Sequence, residues 1–178
     1  MFSKILVAVD LESATTELMA RAIALAKSVN ARLKLVNVLT TEAEGSLPLF
    51  VYPGLTGYPP VLEDSIWQDY QARYQEYQEA QQAKLQRLVH QTSEAGVPTE
   101  FYQDVGSPGS SICEMATRWE AELILVGSRG RKGLSELFLG SVSNYVMHHA
   151  PCSVMVVHPQ KIAEVAANAR DLAVSEKS

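Results

Sequence analysis

Five strand-like segments, each separated from the next by a stretch of helix length, constrain this 178-residue chain more than any other feature. The first, Lys4 to Asp10, is a continuous apolar run closed by an acid. Such a run reads as a strand buried on both faces, the situation of a parallel sheet. Ser13 can cap the helix that follows, with Glu17 in its first turns. Leu18, Ala22, Leu25 and Val29 then recur at helical spacing, and Asn30 ends the helix. Leu33 to Leu39 reads as a second strand. Thr99 to Val105 alternates as a third, Glu122 to Gly127 is a fourth and Ser153 to His158 a fifth. Between them, Ser110 or Ser111 can cap a helix whose inward face is Ile112, Met115, Ala116 and Trp119, and Ser141 to His149 forms another before Pro151. Strands alternating with helices fold by right-handed crossovers into a parallel sheet covered on both faces.

Two segments exceed what such a sheet needs. Residues 40–60 hold Gly45, Pro48, Pro53, Gly54, Gly57, Pro59 and Pro60, with aromatics at Phe50, Tyr52 and Tyr58. That is a long loop, and loops of this size usually serve function or motion. Asp64 to Glu94 follows as a Gln-rich helix, its Glu, Arg and Ala marking a solvated face rather than a prion-like tract. The organisation expected is one domain over 1–159, with the loop inserted, and an Ala- and charge-rich tail over 160–178.

Composition removes several function classes. The chain is 47% hydrophobic and 20% charged, an ordinary globular balance. No apolar run approaches the ~18 residues of a membrane span. The N-terminal segment ends its apolar run in Asp10 without a cleavage-type site, so no signal peptide is expected. Cys113 and Cys152 are too few for a disulfide framework, read as packing residues, and fit a reducing cytoplasm. The net charge of −5 argues against nonspecific nucleic-acid binding. The charge is uneven, however: Arg129, Arg131 and Lys132 stand in one glycine-rich stretch with Glu136 as the only acid between Gly127 and Ala150. A basic loop on an acidic protein points to a local anion such as a phosphate.

In folds of this class ligands sit beyond the carboxyl ends of the strands. The loops there begin at Asp10, Val38, Gly106 and Gly127. The last runs Gly127, Arg129, Gly130, Arg131, Lys132, Gly133; nine residues beyond Gly130, Gly140-Ser141-Val142-Ser143 opens a helix. Glycines let backbone amides approach a phosphate, and a helix N-terminus favours the anion. Hydroxyls of Ser141 and Ser143 can add donors. The chain lacks the G-x-x-x-x-G-K-[ST] of a P-loop, and Asp10-Leu-Glu-Ser13 stands where a dinucleotide fold carries G-x-G-x-x-G. His148 and His149 are adjacent on a helix and diverge, so no metal site is expected. Asp10 and Glu12 lack a neighbouring nucleophile and base, and no catalytic residue is assigned.

The spacing Gly127-x-x-Gly130, nine residues, Gly140-Ser141 resembles the G-2x-G-9x-G-[S/T] signature of the universal stress protein family, in its ATP-binding type. Ile5 to Asp10, Gly106-Ser-Pro108, Val126 to Leu134, Leu139 to Ser143 and His149 to Val157 are similar to further family segments in the same order. The resemblance implies an α/β, flavodoxin-like or Rossmann-like three-layer sandwich with a five-stranded parallel sheet. It further implies binding of ATP or another adenine nucleotide (AMP, ADP or cyclic AMP), with Mg²⁺ accompanying ATP mainly through its phosphates. By position, Ala8 and Asp10 approach adenine and ribose, and Val38 meets adenine. Gly127, Arg129 and Gly130 meet ribose and phosphates, with Arg131, Lys132 and Gly133 beside them. Gly140, Ser141, Val142 and Ser143 cradle the phosphates. The function implied is a cytoplasmic nucleotide-binding regulator of stress response. The alternatives are a slow Mg²⁺-dependent ATPase, or a protein-interaction module with a vestigial nucleotide site. The apolar fifth strand reads as a sheet edge, and the resemblance implies a homodimer through Ser153 to His158.

Overall fold

The computed structural model describes residues 2–11, 15–40, 64–128 and 139–158. Within them the order is β1 (Lys4–Ala8), α1 (Thr15–Val29), β2 (Arg32–Leu39), α2 (Asp64–Glu94), β3 (Thr99–Val105), α3 (Pro108–Trp119), β4 (Leu123–Gly127), α4 (Ser141–His149) and β5 (Ser153–Val157). The strands form one parallel sheet in the order β3-β2-β1-β4-β5. This is the expected α/β sandwich, flavodoxin-like or Rossmann-like, with helices on both faces.

The apolar run of β1 explains its central place. Alternate side chains of a strand point to opposite faces, and here both faces are core. Ile5, Val7 and Val9 join Leu33, Leu35, Leu123 and Leu125 on one side, where α1 contributes Leu18, Met19, Ala22 and Ala26 and α2 contributes Leu85. Leu6 joins Val36 and Ile124 on the other, against Ile112, Met115 and Ala116 of α3 and Val146 of α4. The edge strands read differently. In β3 every residue is half-buried or exposed, and β5 alternates exposed and half-buried until Val157.

Several local expectations are corrected. Helix α3 starts earlier than Ser110 or Ser111 would allow. Its N-cap residue is Ser107, in extended conformation, with Pro108 just inside. Proline's preset φ and missing N–H suit the first helical position, where the amide has no acceptor anyway. The inward stripe of α1 is Leu18, Met19, Ala22 and Ala26, with Leu25 and Val29 at its margin. Trp119 does not enter the core fully; it lies half-buried at the end of α3, with Lys34 Nζ 5.1 Å and Arg32 Cζ 5.5 Å from its ring centre. The ring face attracts both cations. Lys34 is also paired to Glu100 at 3.3 Å.

Cys113 and Cys152 are free, half-buried thiols against the α3/α4 core. Burial pushes both above the ordinary thiol range, and Cys152 is raised further by the neighbouring Cys113. Thiols held protonated in this way behave as small hydrophobes, in keeping with a packing role.

Helices α3 and α4 meet at a glycine. A Cβ placed on Gly109 would lie 2.6 Å from Tyr145 Cδ1, 2.7 Å from Cγ and 3.0 Å from Cβ. The Tyr145 ring in turn stacks on His149, with ring centres 4.1 Å apart. Because the obstructed atoms include Tyr145 Cβ, rotating the ring does not relieve the contact and the helices must part. Gly109→Ala is expected to destabilise the fold by about 1–3 kcal/mol, the usual cost of overpacking. A urea unfolding midpoint equal to or above the parent's would contradict this.

Candidate functional site

The strand order determines where the chain can build a site. From β1 it moves outward to β2 and β3, then crosses back over β1 to β4 and β5. The connections at the carboxyl ends of β1 and β4 therefore diverge, opening a crevice at the switch point.

On the β1 side, Ala8 is half-buried against the α3/α4 core, as is Val38 at the end of β2. Beyond β1, the Val9 N–H donates to the Val36 carbonyl at 2.9 Å. The Val9 carbonyl accepts from Asn37 Nδ2 at 3.1 Å, and Asn37 Oδ1 accepts from Gln103 Nε2 at 3.3 Å. Asn37 is 6% exposed. One buried amide thus joins the ends of β1, β2 and β3 and sets the direction in which Asp10 leaves the sheet. The Asp10 carbonyl accepts the Thr15 hydroxyl, tying the same turn to the start of α1. Sequence reasoning missed Asn37. Its signal is an amide inside the apolar run Leu35 to Leu39, since a buried polar side chain requires partners.

On the β4 side, Gly127 pairs with Val157, and the next N–H, that of Ser128, donates to the Val157 carbonyl at 2.9 Å. The Ser128 carbonyl accepts the Gly140 N–H at 2.8 Å. The chain that leaves β4 and the chain that starts α4 are therefore bonded to one another, so the N-terminus of α4 stands at the end of β4. Gly140 is the N-cap residue, extended at φ −61° and ψ 157°, with no side-chain cap. The first helical bond runs from the Asn144 N–H to the Gly140 carbonyl at 2.9 Å. An uncapped helix start leaves the N–H groups of Ser141, Val142 and Ser143 without intrahelical acceptors. Aligned amides and the positive end of the helix dipole make such a start an anion cradle.

The side chains divide their roles. Ser141 is exposed at the mouth, and Val142 packs against the α3/α4 core. The Ser143 hydroxyl, buried, donates to the Gly140 carbonyl at 2.9 Å. Val142 and Ser143 thus offer a ligand their backbone N–H groups, while Ser141 adds a free hydroxyl. Ala8, Asp10, Val38, Gly127, Gly140, Ser141, Val142 and Ser143 all stand at the carboxyl edge. Arg129, Gly130, Arg131, Lys132 and Gly133 lie outside the described residues. So do Glu12 and Ser13, the aromatics at Phe50, Tyr52 and Tyr58, and the tail 160–178. Elsewhere, an open groove of 590 Å³ between α2 and β3 is lined by five glutamines, among them Gln71, Gln78 and Gln103, with Tyr74 and the acid Glu79, and carries no cation. Among the described residues no helix is long and apolar enough to cross a membrane.

A doubly wound parallel sheet with an uncapped helix start beside its switch point defines an α/β protein of the flavodoxin-like, Rossmann-like class. Its family follows from comparison. The Universal stress protein family model matches residues 1–64 and 49–158. Universal stress protein Sll1388 of Synechocystis is 37% identical over 156 residues, covering 88% of this chain and 97% of that protein. The chain belongs to the universal stress protein family. Solved structures agree on the fold: that of hypothetical protein MJ0577 superposes with a TM-score of 0.70 at 20% identity, covering 90% of this chain and 99% of that one. More distant neighbours were solved with nucleotides. A universal stress protein in complex with cAMP has a TM-score of 0.57 at 20% identity, covering 88% of this chain and 97% of its own. A family member from Arabidopsis thaliana with AMP bound has 0.55 at 18%, covering 90% and 94%. The universal stress protein of Archaeoglobus fulgidus in complex with dAMP has 0.54 at 20%, covering 87% and 97%.

The Asn37 clamp is open to direct test. Asn37→Ala leaves the Val9 carbonyl and the Gln103 amide without their partner, and a buried polar group so orphaned costs about 1–3 kcal/mol. The urea midpoint is expected to fall accordingly, with the slope of the transition unchanged. An unchanged midpoint would show that the clamp contributes nothing.

Proposed function

We propose that this protein binds an adenine nucleotide at the carboxyl edge of its sheet and acts as a cytoplasmic regulator of stress response rather than as a dedicated catalyst. The observation that carries the reading is the uncapped start of α4, bonded through Gly140 to the end of β4 at the switch point. The ligands of the cAMP, AMP and dAMP complexes support adenine as the base. In this reading the N–H groups of Ser141, Val142 and Ser143 and the Ser141 hydroxyl hold phosphate. Gly127, Arg129, Gly130, Arg131, Lys132 and Gly133 lie along ribose and phosphates, the three cations supplying charge. Asp10 accepts from ribose hydroxyls, while Ala8 and Val38 offer the base an apolar surface. ATP is the ligand suggested by the complete glycine spacing, and Mg²⁺ would accompany it through phosphate oxygens.

Isothermal titration of the full chain with ATP, AMP and cyclic AMP is expected to show saturable binding of at least one of them. Asp10→Ala should weaken it by about tenfold, the worth of a hydrogen bond to a charged group. Absence of binding by all three would overturn the reading.

The protein is further proposed to act as a two-fold dimer through Ser153 to His158. Strand β5 ends the sheet, and Met155 on it is 41% exposed. A strand edge of this kind invites pairing with a second copy, and a two-fold axis lets identical edges meet. Light scattering at micromolar concentration should return twice the 19.5 kDa chain mass. The mass of one chain would refute the dimer.

A further inference from the structure

Strand β3 ends the sheet on the side away from β5. Its pairing with β2 runs from the Leu33 N–H on the Pro98 carbonyl to the Gly106 N–H on the Leu39 carbonyl. Backbone groups of successive strand residues point to opposite sides. The even-numbered residues of β3 therefore turn theirs to β2, and the odd-numbered residues turn theirs outward. The last outward N–H, that of Val105, donates to Asp104 Oδ1 at 2.9 Å. Phe101 and Gln103 lie before it, and among the described residues nothing bonds their outward N–H and carbonyl groups. Sheet edges are commonly blunted with proline, lysine or a bulge. Strand β3 contains neither proline nor lysine and pairs with β2 without a break.

This edge adjoins the groove between α2 and β3. Gln103 belongs to both: its backbone faces the open edge, and it lines the groove. A bond from its Nε2 to Asn37 Oδ1 at 3.3 Å holds the side chain in place. The opposite wall is α2, where Gln71, Gln75, Gln78 and Gln82 recur at helical spacing. Glutamine amides both donate and accept, which suits the alternating donors and acceptors of an extended peptide.

Charge decides between occupants. Glu79 in the groove accepts from Gln75 Nε2 at 3.0 Å, and Asp104 accepts from the Val105 N–H. Neither carboxylate is in an ion pair among the described residues. A second copy fits this edge poorly. Two β3 strands meeting antiparallel about a two-fold axis, with full overlap, set Glu100 of each opposite Asp104 of the other. Like charges directly opposite are destabilising. A basic segment instead meets Glu79 and Asp104 with complementary charge.

We propose that the β3 edge and the α2 groove beside it are a docking site for an extended, basic segment of a partner protein, which adds to the sheet as a strand beside Phe101 and Gln103. Main-chain bonds to the edge supply affinity in this mode of recognition, and side-chain contacts supply selectivity. The site is separate from the nucleotide crevice and does not depend on the nucleotide reading.

The test uses the full chain and three synthetic peptides. One is an eight-residue alternation of lysine and valine, the second its glutamate–valine counterpart, and the third the lysine–valine peptide N-methylated at every amide, which keeps the charge and removes the donors. Binding is read by fluorescence anisotropy, and the edge by hydrogen exchange of the Phe101 and Gln103 amides. The lysine–valine peptide is expected to bind saturably and to slow exchange at both amides. The methylated and acidic peptides should each bind at least about tenfold more weakly. The double variant Glu79→Gln, Asp104→Asn keeps the size of both side chains and should weaken the lysine–valine peptide about tenfold. Each of four results would overturn the proposal: no saturable binding of the lysine–valine peptide, equal binding of either control peptide, unchanged affinity in the double variant, or binding without slowed exchange at Phe101 and Gln103. Exchange already slow at those amides in the peptide-free protein, and quickening on dilution, would assign the edge to a second copy and overturn it as well.

Discussion

Burial of β1 on both faces is the constraint on which the other features of this protein depend. A strand carrying Ile5, Leu6 and Val7 in succession, all fully buried, cannot occupy a sheet edge or a half-solvated sheet. It must have strands on both sides and a helical layer above and below. With β1 central, the first two crossovers extend the sheet one way through β2 and β3, and the last two must extend it the other way. Reversal of direction across β1 is what opens the crevice, so the site follows from the same apolar run that organises the core.

The crevice needs a rigid rim, and two kinds of bond supply it. On one bank the side-chain amide of Asn37 links the ends of three strands. On the other, the backbone of Ser128 links β4 to β5 and to the start of α4. The two banks differ in what they present. The Asn37 bank offers a carboxylate at Asp10 beside the apolar Ala8 and Val38; the Ser128 bank offers amide donors and a hydroxyl. In the proposed reading the carboxylate meets the ligand's hydroxyls and the donors meet its negative charge.

Much of this was legible in the sequence, and the failures have physical causes. Strands announced themselves where burial was complete, as in β4, because a two-sided core demands a continuous apolar run. Strand β3 was legible only by alternation, since an edge strand is buried incompletely. The start of α3 was misjudged because two serines look like caps, whereas Pro108 already dictated a start after Ser107. Trp119 was expected inside because it is large and apolar, but its ring is more useful at the margin, where Lys34 and Arg32 cover its faces. Asn37 and Ser128 escaped notice for a shared reason. Asn37 is a single polar residue within an apolar strand and Ser128 stands just beyond one, and the importance of each lies in partners remote in sequence. Among the site residues, glycine spacing located the start of α4 but could not show that Ser143 would turn its hydroxyl inward to Gly140.

That inward turn bears on why the helix start remains open. Serine, threonine, aspartate or asparagine at an N-cap would ordinarily place an oxygen over the N–H groups of the second and third helical residues. Gly140 places none, and its ψ of 157° carries the chain away in extended form. The loss is small, because glycine at this position costs only a few tenths of a kcal/mol relative to the better caps. An aspartate there would stabilise α4 more but would occupy the amides of Ser141 to Ser143 with a negative charge of its own. It would then compete with a phosphate for the same donors, besides repelling it. Ser143 does not supply the missing cap either: its hydroxyl donates to the Gly140 carbonyl, which already accepts the Asn144 N–H, and leaves the amides uncovered. The start of α4 thus keeps its donors uncovered by side chains, as the proposed phosphate site requires.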